Sequence, residues 1–401
     1  MYEYGRRPAN YTPLFLGIFS AVFVVVALQL FRGVPEPRFT VTFPESSPLG
    51  EARQPELPTA GGSIVAVDGL GTLGAVGPAQ QRPIASVTKV MTAYVILKAH
   101  PLQPGQSGPV IELTTRDEQR WLEMLAQDQS SLPVSAGQRL TQLQLLQGLL
   151  VPSANNYAEI LATWDAGSVG AFVEKMNAEA RALGMKDTLY ADTSGFSAAS
   201  VSTAADQLLL ARTAMADPVF RSIVALEEVT LPGVGRVPAV NALVGVDGVI
   251  GIKTGYTEEA GGNLAWAAKR ASGSAQYEVY GVVLGQDTRP AAFTATQAIL
   301  GSLNGGLELK RVIANGQPVA AVETDWGAGV DVIVSEDVQL LTWPGLVMTT
   351  TVEIDDVSAP KSAGEQVGWL NVMLGEQVRR VPLVLAEDLD GAGIVWRLTR
   401  I

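Results

Sequence analysis

The most apolar stretch of the chain runs from Leu14 to Phe31, interrupted by only one glycine, one serine and one glutamine. As a helix it would rise about 27 Å, close to the hydrocarbon thickness of a bilayer. No small-residue cleavage site follows at Arg32. The pattern predicts an uncleaved membrane anchor over residues 1–33, and arginines on both sides leave its orientation open.

The pattern changes twice after this run. Residues 34–62 are rich in Pro, Ser, Glu and Gly without periodicity, which predicts a linker. Residues 63–305 then mix helix and strand patterns without regular alternation, which favours an α+β fold over a doubly wound one. Strands are predicted at 63–67 and 69–77, helices at 86–99, 141–164 and 169–183, and three adjacent strands at 249–254, 263–268 and 278–284.

The tail of the chain, residues 306–401, has a third pattern. Short β-rich runs alternate with Gly, Pro and Asp turns, as at 330–334, 347–354 and 381–385. We expect a small all-β domain of about 95 residues, in the size range of a β-sandwich. The last residues, 394–401, alternate as a strand would.

Composition excludes several kinds of function. The net charge of −12 argues against nucleic-acid binding, which needs clustered Lys and Arg. With no cysteine and one histidine, thiolate catalysis, disulfides and nearly every structural zinc site are excluded, so no metal or cofactor is expected. We interpret the single histidine, His100, as the end of a helix. An enzyme with this composition would therefore need a nucleophile activated without histidine.

Three short motifs stand in order along the chain: Ser86-Val87-Thr88-Lys89, Ser153-Ala154-Asn155 and Lys253-Thr254-Gly255. Each is weak alone, because Ser358 to Lys361 also fits S-x-x-K and Ser302 to Asn304 also fits S-x-N. Pro360 breaks any helical face in the former. A serine and asparagine such as Ser153 and Asn155 are also an ordinary turn or helix-capping pair.

The first motif carries its own chemistry. Ser86 and Lys89 lie three residues apart at the start of a predicted apolar helix, so their side chains share one face. The backbone N–H groups at a helix start can stabilise an oxyanion. Lys89 can activate Ser86 only when deprotonated, and burial or a second cation lowers its pKa. Lys253 is the candidate second cation.

The motifs and their settings resemble the low-molecular-weight penicillin-binding proteins, specifically the serine-type D-alanyl-D-alanine carboxypeptidase family, peptidase family S11. The resemblance covers residues 62–303 and is looser in the tail. The segments that carry it are 82–93, 145–155, 172–177, 183–188, 194–195, 247–248, 251–257 and 260–261. It implies a β-lactamase/transpeptidase-like domain, an antiparallel sheet flanked by helices, followed by a small all-β domain.

The resemblance also implies roles for the motif residues. Lys89 would take the proton of Ser86, Ser153 would relay a proton to the leaving D-alanine, and Asn155 would bind the peptide amide. The terminal carboxylate would be held by Lys253 and Thr254, beside Gly255. The implied oxyanion hole consists of the backbone N–H groups of Ser86 and Tyr256. The implied partners are peptidoglycan stem peptides, β-lactams as inhibitors and a membrane, with the catalytic domain extracytoplasmic.

The sequence departs from the family pattern at three places. Asn156 stands where an acidic residue is common, Asn263 makes its strand unexpectedly polar, and the chain does not end in an amphipathic helix.

Three alternative functions are considered beside the carboxypeptidase. A β-lactamase would need a glutamate in an E-x-x-L-N motif, and no such motif lies between Ser153 and Lys253. A D,D-endopeptidase and a non-catalytic wall-binding protein remain open; the second would not react with a β-lactam.

Overall fold

The computed structural model describes residues 10–355 and 357–400. These residues form two compact units. The first, which we call the α+β unit, consists of residues 49–309 and 341–346. The second, the β unit, contains the rest of the described chain.

The helices begin where the sequence provides caps. Six of them start after a Ser, Thr or Asp whose side chain accepts a backbone N–H of the first turn. The helices are α1 Thr12–Phe31, α2 Lys89–Ala99, α3 Thr115–Ala126, α4 Gln142–Leu150, α5 Asn155–Ala166, α6 Val169–Leu183, α7 Ala204–Met215, α8 Pro218–Val224, α9 Arg289–Ser302 and α10 Ile394–Thr399.

The strands fall into one main sheet per unit and several short ladders. They are β1 Arg38–Val41, β2 Ser46–Pro48, β3 Gly62–Val67, β4 Gly71–Val76, β5 Arg82–Pro83, β6 Val110–Glu112, β7 Arg139–Thr141, β8 Val201–Ser202, β9 Glu228–Leu231, β10 Gly235–Pro238, β11 Val249–Thr257, β12 Gly261–Ser272, β13 Ala275–Gln286, β14 Glu308–Ile313, β15 Pro318–Glu323, β16 Gly329–Val334, β17 Val338–Thr342, β18 Val347–Ile354, β19 Gln366–Leu374 and β20 Gln377–Leu385.

The α+β unit is built on an antiparallel sheet in the order β11-β12-β13-β3-β4. Every residue of β3 is buried, as expected for an inner strand covered on both faces. Helix α7 packs against β3 and β13, and α9 packs against β12 and β13. The predicted α+β class is therefore confirmed, and the strands predicted at 249–254, 263–268 and 278–284 lie side by side.

Two helix predictions need correction. The helix predicted at 141–164 is two helices, α4 and α5, because residues 151–154 leave the helical path around Pro152. The helix predicted at 86–99 begins as a 3₁₀ turn, Ala85–Thr88, before α2. His100 is the C-terminal cap residue of α2, as predicted.

The β unit corrects two further expectations. Its sheet has the order β1-β15-β16-β20-β19-β18-β2, so residues predicted as part of a linker form both edge strands. Phe39 lies opposite Val322, and Met348 lies opposite Ser47. The chain end predicted as a strand forms the short helix α10; Arg397 in this helix and Arg400 just after it donate to backbone carbonyls at the end of α1.

Candidate active site

The serine of the first motif lies in the 3₁₀ turn that leads into α2. Ala85, just before it, has φ 45°, a conformation that residues other than glycine rarely adopt. Side chains three residues apart eclipse one another in a 3₁₀ turn, so Ser86 and Lys89 lie on the same side. Ser86 is half-buried and can be reached from solvent.

Lys89 is fully buried and makes three polar contacts. Its Nζ lies 2.8 Å from Ser86 Oγ, 2.6 Å from Asn155 Oδ1 and 3.0 Å from the carbonyl oxygen of Ser194. Burial lowers the pKa of Lys89 to about 7, although the charge of Asp192 acts in the opposite direction. Near neutral pH a substantial fraction of Lys89 is therefore a neutral amine able to accept a proton.

The three contacts fix the direction of that proton transfer. A neutral amine has two hydrogens and one lone pair, and the oxygens of Asn155 and Ser194 can only accept hydrogen bonds. Both hydrogens of Lys89 are therefore used by these two acceptors. The lone pair is left for the third contact, the hydroxyl of Ser86, which can donate.

The second motif lies at the start of α5. Ser153 is buried and has φ 70°, a second left-handed residue beside the site. Asn155 is the first residue of the helix, which has no side-chain cap. Besides accepting from Lys89, Asn155 donates from Nδ2 to Gln129 Oε1 at 2.8 Å. The structure thus brings Asn155 into contact with Lys89, which in turn contacts Ser86, and Ser153 lies two residues before Asn155 in the chain.

The third motif lies on the edge strand β11. Lys253 is buried, and its Nζ donates to the carbonyl oxygen of Thr254 at 3.0 Å. Burial, followed by the charges of Lys89 and Arg289, holds the pKa of Lys253 well below its usual range. An anion arriving beside Lys253 would favour its protonated form, because the negative charge would offset the burial and the repulsion from neighbouring positive charge.

Gly255 brings β11 directly against the turn that holds Ser86. A methyl group on Gly255 would lie 2.7 Å from the carbonyl oxygen of Ile84 and 2.9 Å from the backbone nitrogen of Ser86. No larger residue fits without moving one of the two backbones. The glycine of the motif is therefore a packing requirement of the site.

Arg289 was not predicted as a site residue. It is the first residue of α9, its guanidinium lies 5.9 Å from the ring centroid of Tyr256, and its buried Nε has no hydrogen-bond partner among the described residues. Tyr256 itself is 41% exposed, so this corner of the site is open to solvent. No spacing rule links Arg289 to the motifs, so no local pattern marks it as a site residue.

Asp192 and Gln129 were also missed. Asp192 accepts hydrogen bonds from Ser194 Oγ and the backbone N–H groups of Gly195 and Phe196, which shapes the loop that presents the Ser194 carbonyl to Lys89. Such a turn is a common use of Asp, so its sequence signal is unspecific. Gln129 lies in a loop far from all three motifs in the sequence.

Comparison with known proteins agrees with this geometry. The family model Peptidase_S11, described as D-alanyl-D-alanine carboxypeptidase, matches residues 52–288. The chain belongs to this family of serine peptidases. The predictions of the family and of the enzyme class are thereby confirmed.

Curated relatives and solved structures give the same assignment. D-alanyl-D-alanine carboxypeptidase DacF of Bacillus subtilis is 28% identical over 79% of this chain and 82% of its own length. Penicillin binding protein 5 of Haemophilus influenzae superposes with a TM-score of 0.60 over 84% of this chain and 99% of its own, at 22% identity, which shows the shared fold. The Streptomyces K15 DD-transpeptidase superposes with a TM-score of 0.55 over 62% and 98%, at 27% identity.

The two polar departures from the family pattern have structural reasons. Asn156 accepts from the backbone N–H of Leu132 and donates to the carbonyl oxygen of Leu132. A carboxylate could only accept, so the hydrogen bond that Asn156 donates to the Leu132 carbonyl oxygen could not be made by an acidic residue. Asn263 is buried and accepts from the backbone N–H of Gly285 while donating to the carbonyl oxygen of Gly261.

The other motif matches lie elsewhere. Ser302 ends α9 and accepts from the backbone N–H of Glu56, while Ser358 and Lys361 belong to the β unit. His100 contacts the buried carboxylate of Asp165 at 2.9 Å, and its ring centroid lies 4.1 Å from that of Trp164, with the two rings tilted by 37°. These are structural contacts, and none of them joins the Ser86 cluster.

Proposed function

We propose that the chain hydrolyses the terminal D-Ala-D-Ala bond of peptidoglycan stem peptides through an acyl-enzyme on Ser86. The observation that carries the proposal is the contact between Lys89 and Ser86. A buried amine with a pKa near neutrality has its lone pair free for one hydroxyl only, which is what a serine nucleophile without histidine requires.

In the first half of the reaction the Ser86 hydroxyl proton passes to Lys89 while Oγ bonds to the carbonyl carbon of the penultimate D-alanine. Backbone N–H groups of Ser86 and Tyr256 would stabilise the oxyanion. The C–N bond then breaks, and the leaving nitrogen takes a proton relayed through Ser153. Water hydrolyses the resulting ester and restores Ser86. We expect no metal or cofactor in these steps.

The cationic end of the site supports a substrate with a free carboxylate. Lys253 and Thr254 would bind that carboxylate beside Gly255, and Arg289 adds a charge with an unused donor. Asn155 would hold the peptide amide group with the second hydrogen of Nδ2. A β-lactam carries a similar carboxylate and would acylate Ser86.

The direct test is D-alanine release from diacyl-Lys-D-Ala-D-Ala by the full-length chain in detergent, with Ser86→Ala beside it. We expect release that the variant lacks, together with a penicillin adduct on Ser86. Release that persisted in Ser86→Ala would contradict the assigned nucleophile. A folded chain giving neither release nor adduct would favour a non-catalytic wall-binding protein.

A D,D-endopeptidase is the second candidate. The D-alanyl-D-alanine endopeptidase of Pseudomonas aeruginosa is 37% identical over 124 residues, although these are only 31% of this chain. The same residues would cut a cross-link, so the test is release from cross-linked dimers compared with release from monomeric pentapeptides. A β-lactamase is disfavoured, because Glu174 is exposed on α6 and Asn177 bonds to the backbone of Tyr190.

We also propose that α1 anchors the enzyme in the cell membrane as a single span, with the catalytic part outside the cytoplasm. It is the described helix long and apolar enough to cross a bilayer, with a mean hydropathy of 2.6 and no buried residue in the apolar window. Extraction of the full chain by detergent but not by alkaline carbonate would support this, and release by carbonate would contradict it.

A further inference from the structure

A short loop after α3 lies against the start of α5, next to the candidate base. Asp128 turns the chain with φ 54°, and the backbone nitrogen of Gln129 donates to the carbonyl oxygen of Met124 at 2.9 Å. The backbone nitrogen of Asn155 donates to the carbonyl oxygen of Ser130 at 2.8 Å. Gln129 is only 8% exposed, so the loop buries this one polar side chain beside Asn155.

The buried side chain decides which end of the Asn155 amide faces Lys89. Gln129 Oε1 can only accept, and it accepts from Asn155 Nδ2 at 2.8 Å. Asn155 Oδ1 is thereby turned towards Lys89, 2.6 Å from Nζ. The other end of the Gln129 amide, Nε2, donates to Gln127 Oε1 at 2.7 Å.

A rotation of the Asn155 amide by half a turn would change the chemistry. Nδ2 would then face Lys89 and donate to the lone pair of the neutral amine. That donation would compete directly with the Ser86 hydroxyl, and one amine hydrogen would lose its acceptor. The backbone position of Asn155 would be unchanged, so this failure is one of orientation alone.

We propose that Gln129 is a positioning residue for the acylation step: by holding the Asn155 carbonyl oxygen against Lys89, it reserves the Lys89 lone pair for Ser86. This rests on the proposed role of Lys89 as the base. It goes beyond that role by assigning a function to a residue outside the three motifs. Gln127 is the outer member of the same hydrogen-bond chain.

The test compares benzylpenicillin acylation rates of the full-length chain for wild type, Gln129→Met and Gln129→Glu. Met keeps the size and removes both polar ends, so we expect acylation to fall on the order of 10- to 100-fold, part of what a general base contributes. For a peptide substrate kcat/KM should fall at least as far, because the half-turn of the Asn155 amide would disturb the proton transfer from Ser86 and would also move Nδ2 away from the peptide amide.

Gln129→Glu separates orientation from charge. A carboxylate still accepts from Asn155 Nδ2, so acylation at high pH should stay within a few-fold of wild type. The added negative charge near Lys89 should move the acidic limb of the profile to higher pH. If Gln129 only packed the loop, Met and Glu would lower the rate similarly at every pH, and that result would overturn the proposal.

A double-mutant cycle gives an independent readout. In Asn155→Asp the side chain presents an oxygen to Lys89 whichever way it rotates, so nothing remains for Gln129 to orient. In the Asn155→Asp background, Gln129→Met should therefore lower the acylation rate little further. A purely structural effect would lower the acylation rate by the same factor in both backgrounds.

The matched control is Gln142→Met, the same change at another buried glutamine, which donates to the carbonyl oxygen of His100. We expect its acylation rate to match wild type even if its melting temperature falls. A wild-type chain that forms no Ser86 adduct would overturn the proposed function. An active wild type with an equally active Gln129→Met would overturn only the positioning role.

Discussion

At the scale of single residues, the proposed role of Lys89 as the base requires the buried amine to be neutral. Below its pKa of about 7 the amine is protonated and cannot take the proton of Ser86. We therefore expect the rate of Ser86 acylation by benzylpenicillin to fall about tenfold per pH unit below this pKa. The measurement is a pH profile from about pH 5 to 9, with circular dichroism confirming that the chain stays folded. A flat profile would contradict the assignment of Lys89 as the base.

The same burial predicts a cost in stability. Lys89 is neutral in the folded chain between about pH 7 and its unfolded value of 10.5, whereas the unfolded chain binds a proton there, so stability rises with pH across this window. Lys89→Met removes that proton uptake. The free energy of unfolding of the variant should therefore exceed that of the wild type by the largest amount near pH 7.

This gain should shrink towards pH 9, by at most about 1.4 kcal/mol per pH unit. The matched control is Lys98→Met, the same change at a lysine whose side chain is 52% exposed. Its difference from wild type should change little over the same range. Equal pH dependence in the two variants, measured by chemical denaturation, would show that burial of Lys89 is not the cause.

At the scale of elements, two of the helices that carry the site begin without a side-chain cap. Six helices have a Ser, Thr or Asp cap, whereas α2 and α5, which start at Lys89 and Asn155, have none, as is also true of α1 and α10. A cap contributes about 1 kcal/mol. The residue before α2 belongs to the 3₁₀ turn, and the residue before α5 is Ala154. Both helices therefore lack the stabilisation of a cap at the ends that carry Lys89 and Asn155.

The sequence predicts the residues of the site that lie in local motifs, but not those that only the tertiary fold brings there. The motifs identified Ser86, Lys89 and Asn155, because a shared helical face and ordered spacing are local properties. The break between α4 and α5 was missed, because an apolar pattern continues across Pro152. Gln129, Asp192 and Arg289 reach the site only through the tertiary fold, so no local pattern marks them.

The contact between β11 and the Ser86 turn gives a prediction about elements. Gly255→Ala should push the strand away from the turn, because its methyl group would lie 2.7 Å from the Ile84 carbonyl oxygen. We expect about 100-fold slower acylation, the usual consequence of an ångström-scale displacement of reacting groups.

The matched control for this change is Gly301→Ala in α9, where a methyl group meets no atom within 4 Å. That variant should acylate normally and gain about 0.5 to 1 kcal/mol of stability, because alanine favours a helix. Normal acylation by Gly255→Ala would mean that the strand and the turn can separate without loss of function.

At the scale of the whole molecule, residues 34–48 are part of the sheet of the β unit and not only a linker. Composition predicts a linker here, because strands of only three and four residues have no recognisable alternation. Their partners lie far later in the chain, as with Arg38 opposite Glu323 and Ser47 opposite Met348, and pairing over such a distance is not visible in a local pattern. The edges of the β unit therefore depend on residues that precede the α+β unit in the chain.

Truncation tests this dependence. A chain beginning at residue 34 keeps β1 and β2, whereas one beginning at residue 49 lacks both and leaves β15 and β18 as open edges. Unpaired edges promote association with other chains. We expect the shorter chain to have a less stable β unit and to self-associate, measured by differential scanning calorimetry and analytical ultracentrifugation. Its penicillin acylation should stay close to that of the longer chain, because the Ser86 cluster lies wholly within the α+β unit. If both truncations melt and sediment alike, the two short strands add nothing to the sheet, and residues 34–48 act as the linker that composition predicts.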